Sequence, residues 1–432
     1  MEKDLTRKKP LIQLSGQEPP KLLAVGIQTS EVSDDQMDAS IVELAELVKT
    51  AGGRIVGNLV QKRNKLERNS YLGKGKMTEA AEMAARLEAV QIIADNELSG
   101  LQIRRMEEGI NVPVIDRTRV ILEIFAQHAT TREGKLQVEL ANLHYALVRL
   151  TGAYEGLSRQ RGGIGAKGPG EMKIETDRRV LKFRIQKLDE ELKKMVQNRE
   201  VQRQKRSERY APLFSLVGYT NAGKSTLLNA LSGSEIATFD GLFTTLDPTA
   251  RKVLLPGGRS AIVSDTVGFI RKLPHGLVKA FRATLENVLQ SQVIVLVSDV
   301  SSLDARDRIT AVEEVLRQIG VLEHEKVMVF NKIDLVPDCE FEALKASYPD
   351  SIFISARTGA NLPALIERMD SIISRDFTKV ELALPVGSPL VHEILAMSQP
   401  SNQTWEGDLV KMKVELPKKF LPQVEPFLVS AQ

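Results

Sequence analysis

Gly218-Tyr219-Thr220-Asn221-Ala222-Gly223-Lys224-Ser225 decides how this chain is read, because the stretch matches the phosphate-loop pattern G-x-x-x-x-G-K-[ST] at every fixed position. The apolar run 213–217 before it predicts a buried strand, and Thr226 onward predicts a helix, which is the context a phosphate loop needs. Gly218 and Gly223 let the backbone turn its N–H groups toward phosphate oxygens. Lys224 is placed to reach the β- and γ-phosphates, and Ser225 offers a hydroxyl to Mg²⁺. The ligand implied is a nucleoside triphosphate lying along Gly218 to Thr226.

Further motifs follow in a fixed order. Asp265-Thr266-Val267-Gly268 ends the apolar segment 261–263, so Asp265 is expected to hold Mg²⁺ through water and the Gly268 N–H to approach the γ-phosphate. The apolar run 327–330 delivers Asn331-Lys332-Ile333-Asp334, and here the chemistry selects a base. A carboxylate at Asp334 can accept from both N1–H and the exocyclic amino group of guanine, a donor pair that adenine lacks. The run 352–354 leads to Ser355-Ala356, where a backbone N–H can donate to guanine O6. Together these elements resemble the translation-factor-like GTPases. Between the phosphate loop and Asp265, Phe243-Thr244-Thr245-Leu246-Asp247-Pro248-Thr249 resembles the first switch of the Obg/HflX-like branch. That resemblance gives Thr245 a Mg²⁺-binding and catalytic role beside Lys224 and Gly268, and puts Phe243 and Thr244 among the nucleotide-binding residues.

Composition bounds the rest. At 432 residues the chain is long enough for several domains. No apolar run reaches the roughly 18 residues of a membrane span, and the charged residues 1–10 carry no signal-peptide core, so a cytoplasmic protein is expected. One cysteine, Cys339, leaves no internal disulfide, and five scattered histidines make no metal cluster.

Net charge is only +3, yet it is segregated. Residues 158–210 carry 16 Lys/Arg against 8 Asp/Glu, and residues 61–76 carry 6 against 1, so an acidic remainder offsets two basic regions. Such segregation suits a polyanionic partner. Leu136, Leu140, Leu143, Leu147 and Leu150 recur at steps of four and three, and Leu181, Ile185, Leu188, Leu192 and Met195 repeat the spacing. The two stripes predict an antiparallel helical hairpin over 131–210. Its Gly-rich basic loop, 151–173, carries Arg159, Arg161, Lys167 and Lys173, cations suited to RNA phosphate.

Upstream, strand-like runs 22–27, 54–60, 90–94 and 112–115 alternate with helical patterns 37–50 and 77–87. The expected architecture is multidomain α/β: a disordered tail at 1–20, a small parallel α/β domain at 21–130, the hairpin, a P-loop GTPase domain at 211–375 and a small α+β appendage at 376–432. In the appendage, strands are expected at 378–384 and 408–416, with helices near 390–397 and 420–428. Tyr71-Leu72-Gly73-Lys74-Gly75-Lys76 is a further, weaker phosphate-binding candidate.

The run Leu143-His144-Tyr145-Ala146-Leu147 to Gly152, with Leu157-Ser158-Arg159-Gln160, Gly162-Gly163-Ile164-Gly165, Gly168-Pro169-Gly170-Glu171 and Asp177-Arg178-Arg179, resembles the signature of HflX-type GTPases. Asp95-Asn96-Glu97-Leu98, Val114-Ile115-Asp116-Arg117-Thr118 and Ile124-Phe125-Ala126 extend the resemblance. It implies a GTP/GDP-binding protein, expected as a monomer, that engages rRNA of the large ribosomal subunit through the N-terminal domain and hairpin tip and splits stalled or idle 70S ribosomes. A large-subunit assembly checkpoint and a signalling GTPase acting on a protein partner are the alternatives. Where Ras-like enzymes place a water-orienting glutamine this chain has Phe269, so hydrolysis is expected to be slow until a ribosome stimulates it. Asn221 is a candidate K⁺ ligand, since a cation there would neutralise charge between the phosphates.

Overall fold

The computed structural model describes residues 18–431 apart from 66, 68, 155–168, 205–210, 234–241, 244–248, 257, 273–285, 303 and 322. The chain divides into two compact units. One comprises residues 1–193 with 241–244 and 271–282, and the other comprises 194–240, 245–270 and 283–432.

The first unit is built on a parallel sheet of order β2-β1-β3-β4, formed by β1 (Lys21–Gln28), β2 (Arg54–Lys62), β3 (Gln91–Ala94) and β4 (Val114–Asp116). β1 reads LLAVGI because it is buried on both faces, as the inner strand of a parallel sheet must be. The helices α1 (Asp34–Thr50), α2 (Lys74–Arg86), α3 (Gly100–Ile110) and α4 (Arg117–His128) alternate with these strands. Ser33 with Gln36 and Ser99 with Gln102 form capping boxes that start α1 and α3, satisfying the exposed first-turn N–H groups. Tyr71 and Leu72 lead to Gly73, the N-cap of α2, and Lys74 to Lys76 lie in its first turn.

Helices α5 (Arg132–Tyr154) and α6 (Pro169–Gln204) pack through Leu140, Leu143, Ile185, Leu188 and Leu192, flanked by Leu136, Leu147 and Leu181. Those are the expected stripes. The ion pairs Arg132–Glu191 and Arg184–Glu139 bind the helices in antiparallel register. Both helices run further toward the tip than the sequence suggested, through Thr151–Tyr154 and from Pro169, where a proline fits a first helical turn. Arg159, Arg161 and Lys167 fall outside the described residues, and so does the side chain of Lys173, whose backbone is in α6.

The second unit holds a six-stranded sheet of order β10-β9-β8-β5-β7-β6. β5 (Leu213–Gly218), β7 (Ser260–Asp265), β8 (Val293–Asp299), β9 (Glu325–Asn331) and β10 (Ile352–Phe353) are parallel, while β6 (Ala250–Leu254) runs antiparallel at one edge. Its helices are α7 (Lys224–Ser232), α8 (Glu286–Gln290), α9 (Ala305–Ile319), α10 (Asp338–Ser347) and α11 (Leu362–Ser374). β5 lies between β7 and β8, so the chain crosses to opposite sides of it. The loop after β5 therefore opens at the crevice where doubly wound sheets take ligands.

A second sheet in this unit, of order β12-β13-β11-β14, covers its own core of Val380, Leu382, Leu384, Ile394, Met412 and Phe420. β11 (Phe377–Pro385) and β13 (Leu409–Pro417) pair over nine residues, close to the expected strands. α12 (Pro389–Met397) also falls where a helix was expected. β12 (Asn402–Glu406) and β14 (Leu428–Ala431) were not anticipated. The helix expected at 420–428 is corrected: 3₁₀ turns at Lys418–Phe420 and Glu425–Phe427 bracket the short α13 (Leu421–Val424). Pro422 and Pro426 each lack an N–H, and a continuous helix cannot form through them.

Candidate guanine-nucleotide site

The turn Gly218 to Ser225 joins β5 to α7, and two of its glycines are demanded by contacts. A Cβ on Gly218 would lie 2.1 Å from the Val297 carbonyl oxygen on the neighbouring strand, so any side chain would force the two strands apart. Gly223 has φ +89°, and a Cβ there would meet the Asn331 amide nitrogen at 2.3 Å. Asn221 also takes a left-handed conformation, φ 60°, which asparagine tolerates better than most residues, and it is exposed.

Lys224 is buried, and its Nζ donates to the carbonyls of Tyr219 at 2.9 Å and Gly218 at 3.2 Å. Burial pushes its ammonium down to about 8, against the opposing pull of Asp265. A desolvated cation at the end of this turn, held on two of its carbonyls, is arranged for an anion. Thr220 is buried too, and its hydroxyl has no hydrogen-bond partner among the described residues.

Asp265 ends β7 and accepts from Ser225 Oγ at 2.5 Å, while its other oxygen accepts the Thr266 N–H at 2.8 Å. A hydroxyl and a carboxylate held together are hard-oxygen donors of the kind Mg²⁺ takes, so the residues fit that ion. Thr266 Oγ1 donates to the Leu216 carbonyl, fixing the strand end, and Val267 is buried. Phe269 is buried as well, and its backbone bridges the turn: its N–H donates to Gly218 and its carbonyl accepts from Thr220. The ring thus has neither the chemistry nor the exposure to orient a water.

Asn331 joins three loops. Its Nδ2 donates to the Ala222 carbonyl at 2.8 Å, and its Oδ1 accepts the Ala356 N–H at 2.9 Å. The Ala356 amide, expected at guanine O6, is thus committed to orienting Asn331, and the Ser355 amide donates to the Ala360 carbonyl. Asp334 accepts from Ser355 Oγ at 2.6 Å and pairs with Arg357 at 3.3 Å. Lys332 takes φ 70° and pairs with Asp299 at 2.8 Å. Asp299, Arg357 and Arg308, whose guanidinium lies 5.1 Å from the centroid of the Tyr219 ring, were missed from sequence. Asp299 had a signal, being the polar end of the apolar run 293–297.

Thr226 follows on α7, partly buried. Thr244 and Thr245 lie outside the described residues. Phe243, expected at the nucleotide, clusters with the first unit, where its buried ring meets Phe125 edge-on with centroids 4.7 Å apart. Its apolar ring is a packing group there.

A phosphate-binding turn at the sheet's switch point, with a base-reading loop keyed to it through Asn331, defines a P-loop GTPase. Comparison with known proteins carries this further. Residues 38–126 match a family described as "GTP-binding GTPase N-terminal", residues 128–206 "GTP-binding GTPase Middle Region" and residues 214–332 "50S ribosome-binding GTPase". The chain is 40% identical over 400 residues to "GTPase HflX" of Caldanaerobacter subterraneus, covering 92% of each chain. It is 45% identical to that of Lacrimispora saccharolytica over 82% of this chain and 83% of the relative. Against that of Escherichia coli it is 37% identical over 91% and 93%. The chain belongs to the HflX GTPase family and is a GTP-hydrolysing enzyme.

Proposed function

We propose that this GTPase binds the large ribosomal subunit through its N-terminal domain and the loop 151–173, and that in its GTP state it splits stalled or idle 70S ribosomes. The observation that carries the reading is the long α5–α6 hairpin with its leucine seam, whose two helices are joined by a stretch that is basic in sequence. Arg159, Arg161, Lys167 and Lys173 are the proposed rRNA contacts. The printed description of the family matched at 214–332, a 50S ribosome-binding GTPase, supports the same partner.

At the nucleotide, Lys224 and the turn N–H groups hold the β- and γ-phosphates, the Gly268 N–H meets the γ-phosphate, and Asp334 reads guanine. Ser225, Thr245 and Asp265, the last through water, would hold Mg²⁺, which family members generally use and which would neutralise phosphate charge. Asn221 is proposed as a ligand for K⁺, and equal turnover in potassium and sodium buffers removes that assignment. Cytoplasmic residence is part of the proposal; no helix among the described residues is long and apolar enough to cross a membrane.

Phe269 gives the test. With a buried phenyl ring after Gly268, turnover in the free protein is slow and rises at least tenfold on adding large subunits or 70S ribosomes. Steady-state hydrolysis that is indifferent to ribosomes contradicts the proposal and favours a partner without RNA.

A further inference from the structure

Helix α5 is fastened to the N-terminal domain, where Tyr145 Oη donates to Asp116 at 2.9 Å and Arg119 donates to Asn142 at 3.0 Å. Residues 175–193 of α6, in the same unit, pack on α5 through the leucine seam. Each residue of a helix turns about 100° from the last, so Phe183, two residues from both Leu181 and Ile185, points to the side opposite the seam. Its ring is 72% exposed there, and Val180, three residues earlier on the adjoining turn, is 58% exposed.

Single apolar side chains on a surface are common and mean little by themselves. The setting of this one is different. Arg179 and Lys187 stand four residues before and after Phe183, which on a helix places them on its own face. From 178 to 188 the sequence carries five cations and no carboxylate. Among them Arg184 is paired with Glu139, but Arg179 is 80% exposed and reaches Glu175 only at 3.7 Å, and Lys182 and Lys187 are exposed. The charge decides which partner fits. An apolar protein groove that took the ring would strip water from these cations without answering them. RNA answers both, because every base has a π-face for the ring and every nucleotide a phosphate for the cations.

We propose that this outer face of α6 is an RNA-contact surface separate from the loop 151–173. Phe183 stacks on an unpaired base, and Arg179 and Lys187 hold phosphates to either side of it. Eight residues of helix separate the two cations, about 12 Å along the axis, with the ring midway. The inference rests on the reading, given above, that the hairpin binds the large ribosomal subunit.

The test is equilibrium binding of the full chain, loaded with a non-hydrolysable GTP analogue, to purified large subunits over a range of salt. Phe183 lies outside the seam, so its replacements leave the fold and GTP affinity unchanged. Phe183→Ala weakens subunit binding about tenfold, and Phe183→Trp, which keeps a stacking face, binds as the wild type does. The slope of log affinity against log salt stays the same in both, because stacking releases no counterions. Replacing Arg179 and Lys187 together by alanine flattens that slope by about 1–2. Phe183→Leu separates RNA from a protein partner: leucine fills an apolar groove but has no π-face, so it binds as weakly as alanine. If the wild-type chain does not bind large subunits, the ribosomal reading itself fails. If it binds, and Phe183→Ala binds equally tightly or Phe183→Leu matches the wild type, the stacking surface is overturned.

Discussion

In the proposed site Asp334 carries base choice on one carboxylate, which accepts from Ser355 Oγ at 2.6 Å. Replacing Asp334 by Asn turns half of that acceptor into a donor. Affinity for GTP is expected to fall about a hundredfold or more, while xanthosine triphosphate, with a carbonyl where guanine has its amino group, gains; competitive nucleotide binding measures both. Lys224 makes a different prediction. With its ammonium at about 8 in the folded protein and 10.5 as the ordinary value, the unfolded chain holds the proton more tightly. This residue's penalty on stability is therefore full below pH 8 and lifts as pH rises toward 10.5. Bound phosphates reverse the preference, so nucleotide binding takes up about half a proton at pH 8 and almost none at pH 6. Calorimetry in buffers of different ionisation enthalpy reads that uptake, and none at pH 8 contradicts a buried, depressed Lys224. These proposed roles are legible in sequence because a phosphate turn requires fixed residues at fixed spacing. The ion pair of Asp95 with Lys272 is not, since the two lie 177 residues apart and the motif that contains Asp95 names no partner for it.

The α5–α6 hairpin shows what period reveals and what it leaves out. Steps of four and three residues identified the buried seam, because only one face of each helix meets the other. The ends of the helices were read short, since nothing periodic marks Thr151–Tyr154 or Pro169–Lys173. In the appendage the error ran the other way: apolar spacing suggested one helix where Pro422 and Pro426 break the backbone ladder. Leu188 is buried in the seam, and Leu188→Ala should cost about 2–4 kcal/mol, read as earlier hairpin unfolding in denaturant with GTP affinity unchanged. Replacing Arg159, Arg161 and Lys167 together by alanine leaves nucleotide binding intact but weakens large-subunit binding. The slope of log affinity against log salt flattens by about 2–3. An unchanged slope would mean that the loop does not touch rRNA phosphate.

At the scale of the whole molecule, sequence order and spatial grouping diverge. Residues 241–244 and 271–282 group with the N-terminal unit although both lie within the GTPase sequence, and the second unit keeps the phosphate turn, Asp265 and the base-reading loop. Element order announced a P-loop domain between an α/β domain and an α+β appendage. Which switch residues each unit claims depends on long-range packing, such as Phe243 on Phe125, that no local pattern encodes. The proposed function is that GTP bound in the second unit gates the action of the hairpin on the ribosome. Sucrose-gradient sedimentation of purified 70S ribosomes with this protein and a non-hydrolysable GTP analogue tests that most directly. Conversion of the 70S peak into separate subunits with the analogue, and not with GDP, is the predicted result. An intact 70S peak, with the protein migrating only on large-subunit precursor particles, would contradict it and identify an assembly checkpoint instead.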